Sequence, residues 1–229
     1  MTLDTYQEYA QAALAKYAQT DAARRCALVS AVDKIDVKRV LDIGCGAGQE
    51  LLPFLERTNA FCVGIDIAPS LGEVTKAVFS ANENSRRVAF ARTNGAALPF
   101  ADESFDVVSC QVALPYMNNR RTIAEVARIL RPRGVFLLKI HAPAFYFGMI
   151  RTRLKTLNLK QIAYPLICLA GSCWHSLTGR QLEKGFWQGK EIFQTRRFLE
   201  KEFLKHNLRI ERELSDTNTQ TPSFYVVKN

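Results

Sequence analysis

Residues 40–48 read Val-Leu-Asp-Ile-Gly-Cys-Gly-Ala-Gly. Val40, Leu41 and Ile43 make a short apolar strand. Gly44, Gly46 and Gly48 then make a turn, and Gln49 to Arg57 has the look of a helix. A strand that passes through glycines into a helix presses bare backbone and free N–H donors against a ligand. The spacing excludes two ligand classes. A dinucleotide turn needs glycine at its first, third and sixth places, and here the sixth place is Gln49. A phosphate loop must end in Gly-Lys-Ser/Thr, and none is present. Asp66 stands 22 residues beyond Gly44, at the end of the next apolar run. In nucleotide-binding α/β folds an acid there accepts hydrogen bonds from ribose hydroxyls. The alternative for Asp66 is a cap on the following helix.

Two further segments extend the pattern. Asn94-Gly95-Ala96-Ala97-Leu98-Pro99-Phe100 leads into Ser104-Phe105-Asp106-Val107-Val108, and Leu130-Arg131-Pro132-Arg133-Gly134 precedes an apolar strand. Together with Asp42-x-Gly44-x-Gly46-x-Gly48 and Asp66, they run in the order of the class I S-adenosylmethionine-dependent methyltransferases. The chain resembles that family over residues 40–140. It is most similar to the branch that holds ubiquinone- and menaquinone-biosynthesis methyltransferases and many small-molecule enzymes. The resemblance implies S-adenosylmethionine as cofactor. It places Asp42, Gly44, Cys45, Gly46 and Gly48 beside the cofactor's methionine part, and Asp66 and Ile67 at the ribose. It puts Asn94 and Gly95 at the adenine. Asn94 departs from the usual Asp, but an amide oxygen can accept the same hydrogen bond. Gln111 is a cofactor contact or a packing residue. Tyr9, in an N-terminal helix that covers the cofactor in many relatives, lines the pocket or packs in the core. Gln111 to Tyr116 lacks the Asn/Asp-Pro-Pro-Tyr/Phe of enzymes that methylate base amino groups, which disfavours that substrate.

The elements that must hold these residues alternate. Apolar strands are expected at 38–43, 61–67, 87–92, 105–112, 135–140, 208–214 and 224–227. Helices are expected at 4–18, 21–33, 49–57, 69–82, 118–130 and 193–206, with a stop at 131–134. This is an α/β fold: a doubly wound, mostly parallel seven-stranded sheet with flanking helices, Rossmann-like, closing on an antiparallel pair. One domain is expected over 1–229, with N-terminal helices at 1–35 and a helical insert or lid for the acceptor at 142–190.

Composition bounds the chemistry. With 48% hydrophobic and 23% charged residues, the 229-residue chain reads as globular. Its six cysteines lack paired spacing, and its three histidines lack ligand spacing, so reduced thiols, a cytoplasmic setting and no metal are expected. No secretory signal and no membrane-spanning run is evident. The net charge of +9 is uneven: residues 142–190 hold seven basic side chains against Glu183 alone. They also hold Phe145, Tyr146, Phe147, Trp174 and Trp187. Such a segment suits an amphiphilic acceptor or peripheral contact with an acidic membrane face, and also an ordinary lid with a solvated basic face. Nucleic acid is disfavoured, since no recognition module is visible. Methyl transfer to oxygen or an acidic carbon of a small-molecule or lipid-linked acceptor would gain from a base. His141, at the end of the fifth strand, and His175, in the insert, are the candidates; each could equally be a hydrogen-bonded structural His. The rival readings are an RNA or protein methyltransferase, and a non-catalytic cofactor-binding subunit.

Overall fold

The computed structural model describes residues 12, 14, 15, 17–80, 82–155 and 159–229. Tyr9 and most of the first expected helix lie outside them. Seven strands form one sheet: β1 (Arg39–Ile43), β2 (Phe61–Asp66), β3 (Val88–Arg92), β4 (Phe105–Gln111), β5 (Leu130–Lys139), β6 (Leu208–Glu213) and β7 (Ser223–Lys228). Their order is β3-β2-β1-β4-β5-β7-β6. The first five are mutually parallel, and β7 runs antiparallel to both β5 and β6. Strand order reverses between β1 and β4, so a crevice opens beyond their C-terminal ends. The glycine turn follows β1 and therefore sits in that crevice.

Successive strand residues face opposite ways, and each face has its own core. Leu41, Ile43, Val108, Phe136 and Leu138 pack under α5 (Asn119–Ile129) and α8 (Arg196–Leu204). Phe136 meets Phe203 of α8 edge-on, with centroids 6.3 Å apart. On the other face Val40, Cys62, Val107, Val135 and Leu137 pack with Leu28, Val29, Phe54, Leu55 and Phe79. Those come from α2 (Ala27–Ala31), α3 (Leu52–Arg57) and α4 (Leu71–Phe79). Each fully buried large side chain contributes roughly 1.5–3 kcal/mol, so both layers hold the sheet edge in place. The insert is α6 (Pro143–Lys155) and α7 (Leu159–Thr178).

Most element ends differ by a few residues from the sequence expectation, and four differences have a clear local reason. The helix expected at 21–33 breaks at Cys26 into α1 (Ala22–Arg25) and α2, while Asp21 caps the first as its carboxylate accepts from the Arg24 N–H at 2.9 Å. Gln49–Leu51 is a 3₁₀ turn before α3, whose first turn carries Pro53. The stop at 131–134 is instead a bulge inside β5: Leu130 pairs with Phe105 and Val135 with Val107, and Arg133 sits at φ 64°. The last helix starts at Arg196 rather than Phe193, because the preceding residues are hydrogen-bonded elsewhere. Ile192 N–H donates to the Pro115 carbonyl at 2.8 Å and Gln194 N–H to that of His141 at 3.1 Å. Thr195 then supplies the cap, accepting from Phe198 N–H.

Candidate functional site

At the end of β1 the N–H groups of Gly44 and Cys45 both donate to the Ile65 carbonyl, at 2.8 and 3.0 Å, which bends the chain over β2. Gly44, Gly46 and Gly48 take φ values of 71°, 55° and 79°, a region that side-chain-bearing residues rarely enter. The three differ in what surrounds them. A Cβ on Gly44 would lie 2.3 Å from that of Ala113, and one on Gly48 would lie 2.8 Å from the Phe90 ring. A Cβ on Gly46 would meet no protein atom within 4 Å. The first and third glycines thus serve packing, and the middle one borders open space. Asp66 closes this cradle: its carboxylate accepts from Gly46 N–H at 3.1 Å and from Ala68 N–H at 3.0 Å. Asp66 thus ties the turn to the loop after β2 and does not cap the following helix, whose N-cap is Ser70; its carboxylate keeps lone pairs for a further donor. Ile67 beside it is exposed.

Asn94 and Gly95 follow β3. The Asn94 side-chain oxygen accepts from Ala96 N–H at 2.9 Å, which shapes a tight turn. Gly95 lies against Ile43 and Met117, where a Cβ would meet Met117 Sδ at 2.9 Å. Met117 also approaches Gly44. Residues 44–48, 66–67, 94–95 and 113–117 therefore converge on the ends of β1 and β4. Sequence reading missed Ala113 and Met117, since neither type carries a chemical signal. Gln111 turns its amide to the Leu137 carbonyl at 3.0 Å, across β4 and β5. Two surface cavities, of about 460 and 270 Å³, lie elsewhere, the second between Phe145, Arg153 and Gln220.

Below the turn sits a carboxylate-rich cluster. Burial pushes the Asp42 carboxyl up to about 7, Glu50 and Asp66 add to the rise, and the Ser109 hydroxyl opposes it. Burial likewise lifts Glu50 to about 7, against the pull of Lys139, which is ion-paired with Asp216. Gln49 Oε1 and Asp216 Oδ1 are buried without a partner among the described residues. This surplus of buried acceptors suits a cationic donor such as an ammonium group. No cluster among the described residues has the ligands for a metal ion.

The raised Asp42 value has a consequence for stability. A carboxyl that holds its proton more tightly when folded contributes stability that is complete below the unfolded value near 4. That contribution disappears as pH rises through about 7. The span corresponds to about 4 kcal/mol. Asp42→Asn should therefore lose less stability between pH 5 and pH 8 than the wild type in urea unfolding of the ligand-free protein. Parallel losses would show that Asp42 does not set this slope.

At the end of β5 the structure assembles a second constellation. His141 Nδ1 lies 2.7 Å from Glu191 Oε2, and the imidazole stacks on Phe145 with centroids 3.8 Å apart. Tyr146 of α6 and Tyr164 of α7 donate their hydroxyls to Glu191 at 2.9 and 2.7 Å. Burial by itself would raise the Glu191 carboxyl, but the hydrogen bonds from His141, Tyr164 and Tyr146 outweigh it and hold the group below the ordinary carboxylate value. Both tyrosine hydroxyls are pushed far up by burial and by Glu191, and so remain donors. With Glu191 an anion, the network assigns a proton to His141 Nδ1 and leaves Nε2 outside it. His175 is placed differently. Its ring packs against Phe198 of α8 at 5.2 Å, and both ring nitrogens are buried without hydrogen-bond partners among the described residues. Burial and Arg120 depress it, which keeps it neutral.

Residues 41–138 match the family described as "Methyltransferase domain". The uncharacterized methyltransferase YcgJ of Bacillus subtilis is 38% identical over 104 residues, covering 45% of this chain and 40% of that protein. The O-methyltransferase rstn1 of Aspergillus nomiae is 33% identical over 96 residues, 42% of this chain and 43% of its own. An uncharacterized protein of Methanocaldococcus jannaschii, MJ1252, is 36% identical over 156 residues, 67% of this chain and 57% of its own. The matches thus span between 40% and 57% of the length of these relatives. The YcgJ crystal structure shares the fold at a TM-score of 0.56 and 19% identity, over 88% of this chain and 95% of that one. The Streptomyces coelicolor geranyl diphosphate C-methyltransferase, solved with S-adenosyl-L-homocysteine, does so at 0.58 and 10%, over 84% and 74%. The sheet order and the segment that carries the sequence similarity agree: residues 41–138 match a methyltransferase domain, and the fold around them is similar to that of S-adenosylmethionine-dependent methyltransferases.

Proposed function

We propose that this chain transfers a methyl group from S-adenosylmethionine to a small-molecule or lipid-linked acceptor, at oxygen or an acidic carbon. The observation that carries the reading is the His141–Glu191 pair at the C-terminal end of β5, hydrogen-bonded at 2.7 Å and buttressed by two tyrosines.

The residues fit the cofactor. Gly46 leaves an open cradle, and the carboxylate cluster around Asp42 and Glu50 suits an ammonium group. Asp42, Gly44, Cys45, Gly46 and Gly48 would hold its methionine part, Asp66 and Ile67 its ribose, and Asn94 and Gly95 its adenine. When bound, the cofactor supplies a sulfonium whose methyl is already activated for transfer. The protein then has two tasks. One is to align the acceptor, worth up to roughly 7–11 kcal/mol. The other is to remove a proton from it. His141 Nε2 would take that proton, while Glu191 orients the ring and stabilises the imidazolium. Residues 142–190 would cover this edge and choose the acceptor. Gln111, turned into the sheet, is read as a positioning residue.

The test is transfer of a labelled methyl from the cofactor by the isolated chain into lipid, quinone, sugar, protein and RNA fractions. Label in a lipid or small-molecule fraction is expected. Label confined to RNA or protein would favour that rival, and absence of turnover in every fraction would favour a non-catalytic subunit.

A further inference from the structure

We propose that α6 and α7 dock on an anionic lipid surface through their outer faces. The inference extends the acceptor reading above, but its evidence is separate. Residues 161–178 of α7 carry no Asp, Glu, Lys or Arg. The inward side of α7 is buried at Pro165, Cys168, Gly171, Ser172 and His175. The opposite side, at the same helical spacing, is apolar yet faces solvent: Ala163, Leu166, Ala170, Trp174 and Leu177 are exposed, Leu177 to 87% and Leu166 to 51%. On α6 Phe147 and Leu154 are exposed as well, and Phe186 follows in the loop after α7. An apolar stripe of this length is unusual on a surface that meets only water.

Its surroundings identify the occupant. Arg151, Lys155, Arg180 and Lys184 are exposed and form no ion pair among the described residues. Residues 142–190 hold seven basic side chains against one acidic. A second copy of the chain on this stripe would bring two such basic segments together, which Coulomb repulsion opposes. An anionic bilayer complements both features: apolar side chains enter the headgroup boundary, Trp suits that depth, and Lys and Arg meet lipid phosphates. No helix among the described residues is long and apolar enough to cross a membrane, so the geometry is that of helices lying on the surface. The inner sides of the same helices hold the site. Tyr146 and Tyr164 reach Glu191, so docking would set the His141 edge beside the lipid. A lipid-borne acceptor could then enter without crossing water.

The test is co-sedimentation of the full chain with phosphatidylcholine vesicles and with mixed phosphatidylcholine/phosphatidylglycerol vesicles. Binding should be about tenfold or more tighter to the anionic vesicles and should weaken with salt. Leu166→Glu with Leu177→Glu, and separately Arg180→Glu with Lys184→Glu, should each reduce it by about tenfold or more with the thermal transition retained. Equal binding to both vesicle types would overturn the proposal, as would anionic binding that neither pair of substitutions weakens. A stable dimer in sedimentation velocity, dissociated by Leu166→Glu with Leu177→Glu, would assign the face to a second copy instead. Vesicle binding needs no turnover. Docking can therefore hold while the acceptor reading fails, or the reverse.

Discussion

His141→Gln should slow methyl transfer by about 100- to 10,000-fold, the range associated with loss of a general base, while leaving cofactor affinity within about twofold. The expectation follows from the placement of the ring. Nδ1 is engaged by Glu191 at 2.7 Å, and the stack on Phe145 fixes the plane. Glu191→Gln keeps the shape but removes the anion. The imidazolium formed when the acceptor is deprotonated then loses its counter-charge, so the rate should fall. A purely structural role for the pair would lower stability and leave the rate of the folded protein in place. Wild-type rates in both variants would remove His141 from the chemistry.

Gly46→Ala and Gly44→Ala should separate ligand binding from folding. Both positions have positive φ, which costs a side-chain-bearing residue roughly 1–2 kcal/mol. At Gly46 the new methyl meets no protein atom within 4 Å. The variant should fold, with a melting temperature lower by roughly 2–8 °C. Its Cβ would enter the space assigned to the cofactor, and affinity should fall by about 100-fold, or about 2.7 kcal/mol. At Gly44 the methyl would lie 2.3 Å from Ala113 Cβ, so strand end and loop must move apart. That variant should lose about 3 kcal/mol or more of stability. Calorimetric titration and melting on the two proteins check both statements. Wild-type affinity in Gly46→Ala would mean that the turn serves chain geometry alone.

The sheet and the glycine turn were legible in the sequence because their signals are local. Apolar runs of strand length mark β1 to β5, and the glycines and Asp66 lie at fixed distances from strand ends. The His141–Glu191 network was only half legible. His141 follows directly from the end of β5, but its partner Glu191 lies 50 residues further along the chain, beyond the insert. Glu191 is an acid followed by apolar Ile192 and Phe193, a pattern that also fits the start of a helix. What fixes it is tertiary: Ile192 and Gln194 are bound to Pro115 and His141, in the segments that follow β4 and β5, and backbone pairing at that distance leaves no periodic trace. The same pairing delays α8 to Arg196. Arg133 shows the converse case, where a residue in a glycine-like position keeps the positive φ and the strand absorbs it as a bulge. The insert also contributes to the Glu191 network, since Tyr146 and Tyr164 belong to it.

The most direct test of cofactor binding by the glycine turn is calorimetric titration of S-adenosylmethionine into the wild type and Asp66→Ala. Asp66 joins the turn to β2 through Gly46 N–H and is the residue proposed to meet the ribose. The wild type should bind at one site with saturable heat. Asp66→Ala should bind tenfold or more weakly, about 1.4 kcal/mol or above, with its folded state retained at the titration temperature. Equal affinity in the two proteins, or no saturable heat in the wild type, would contradict the account.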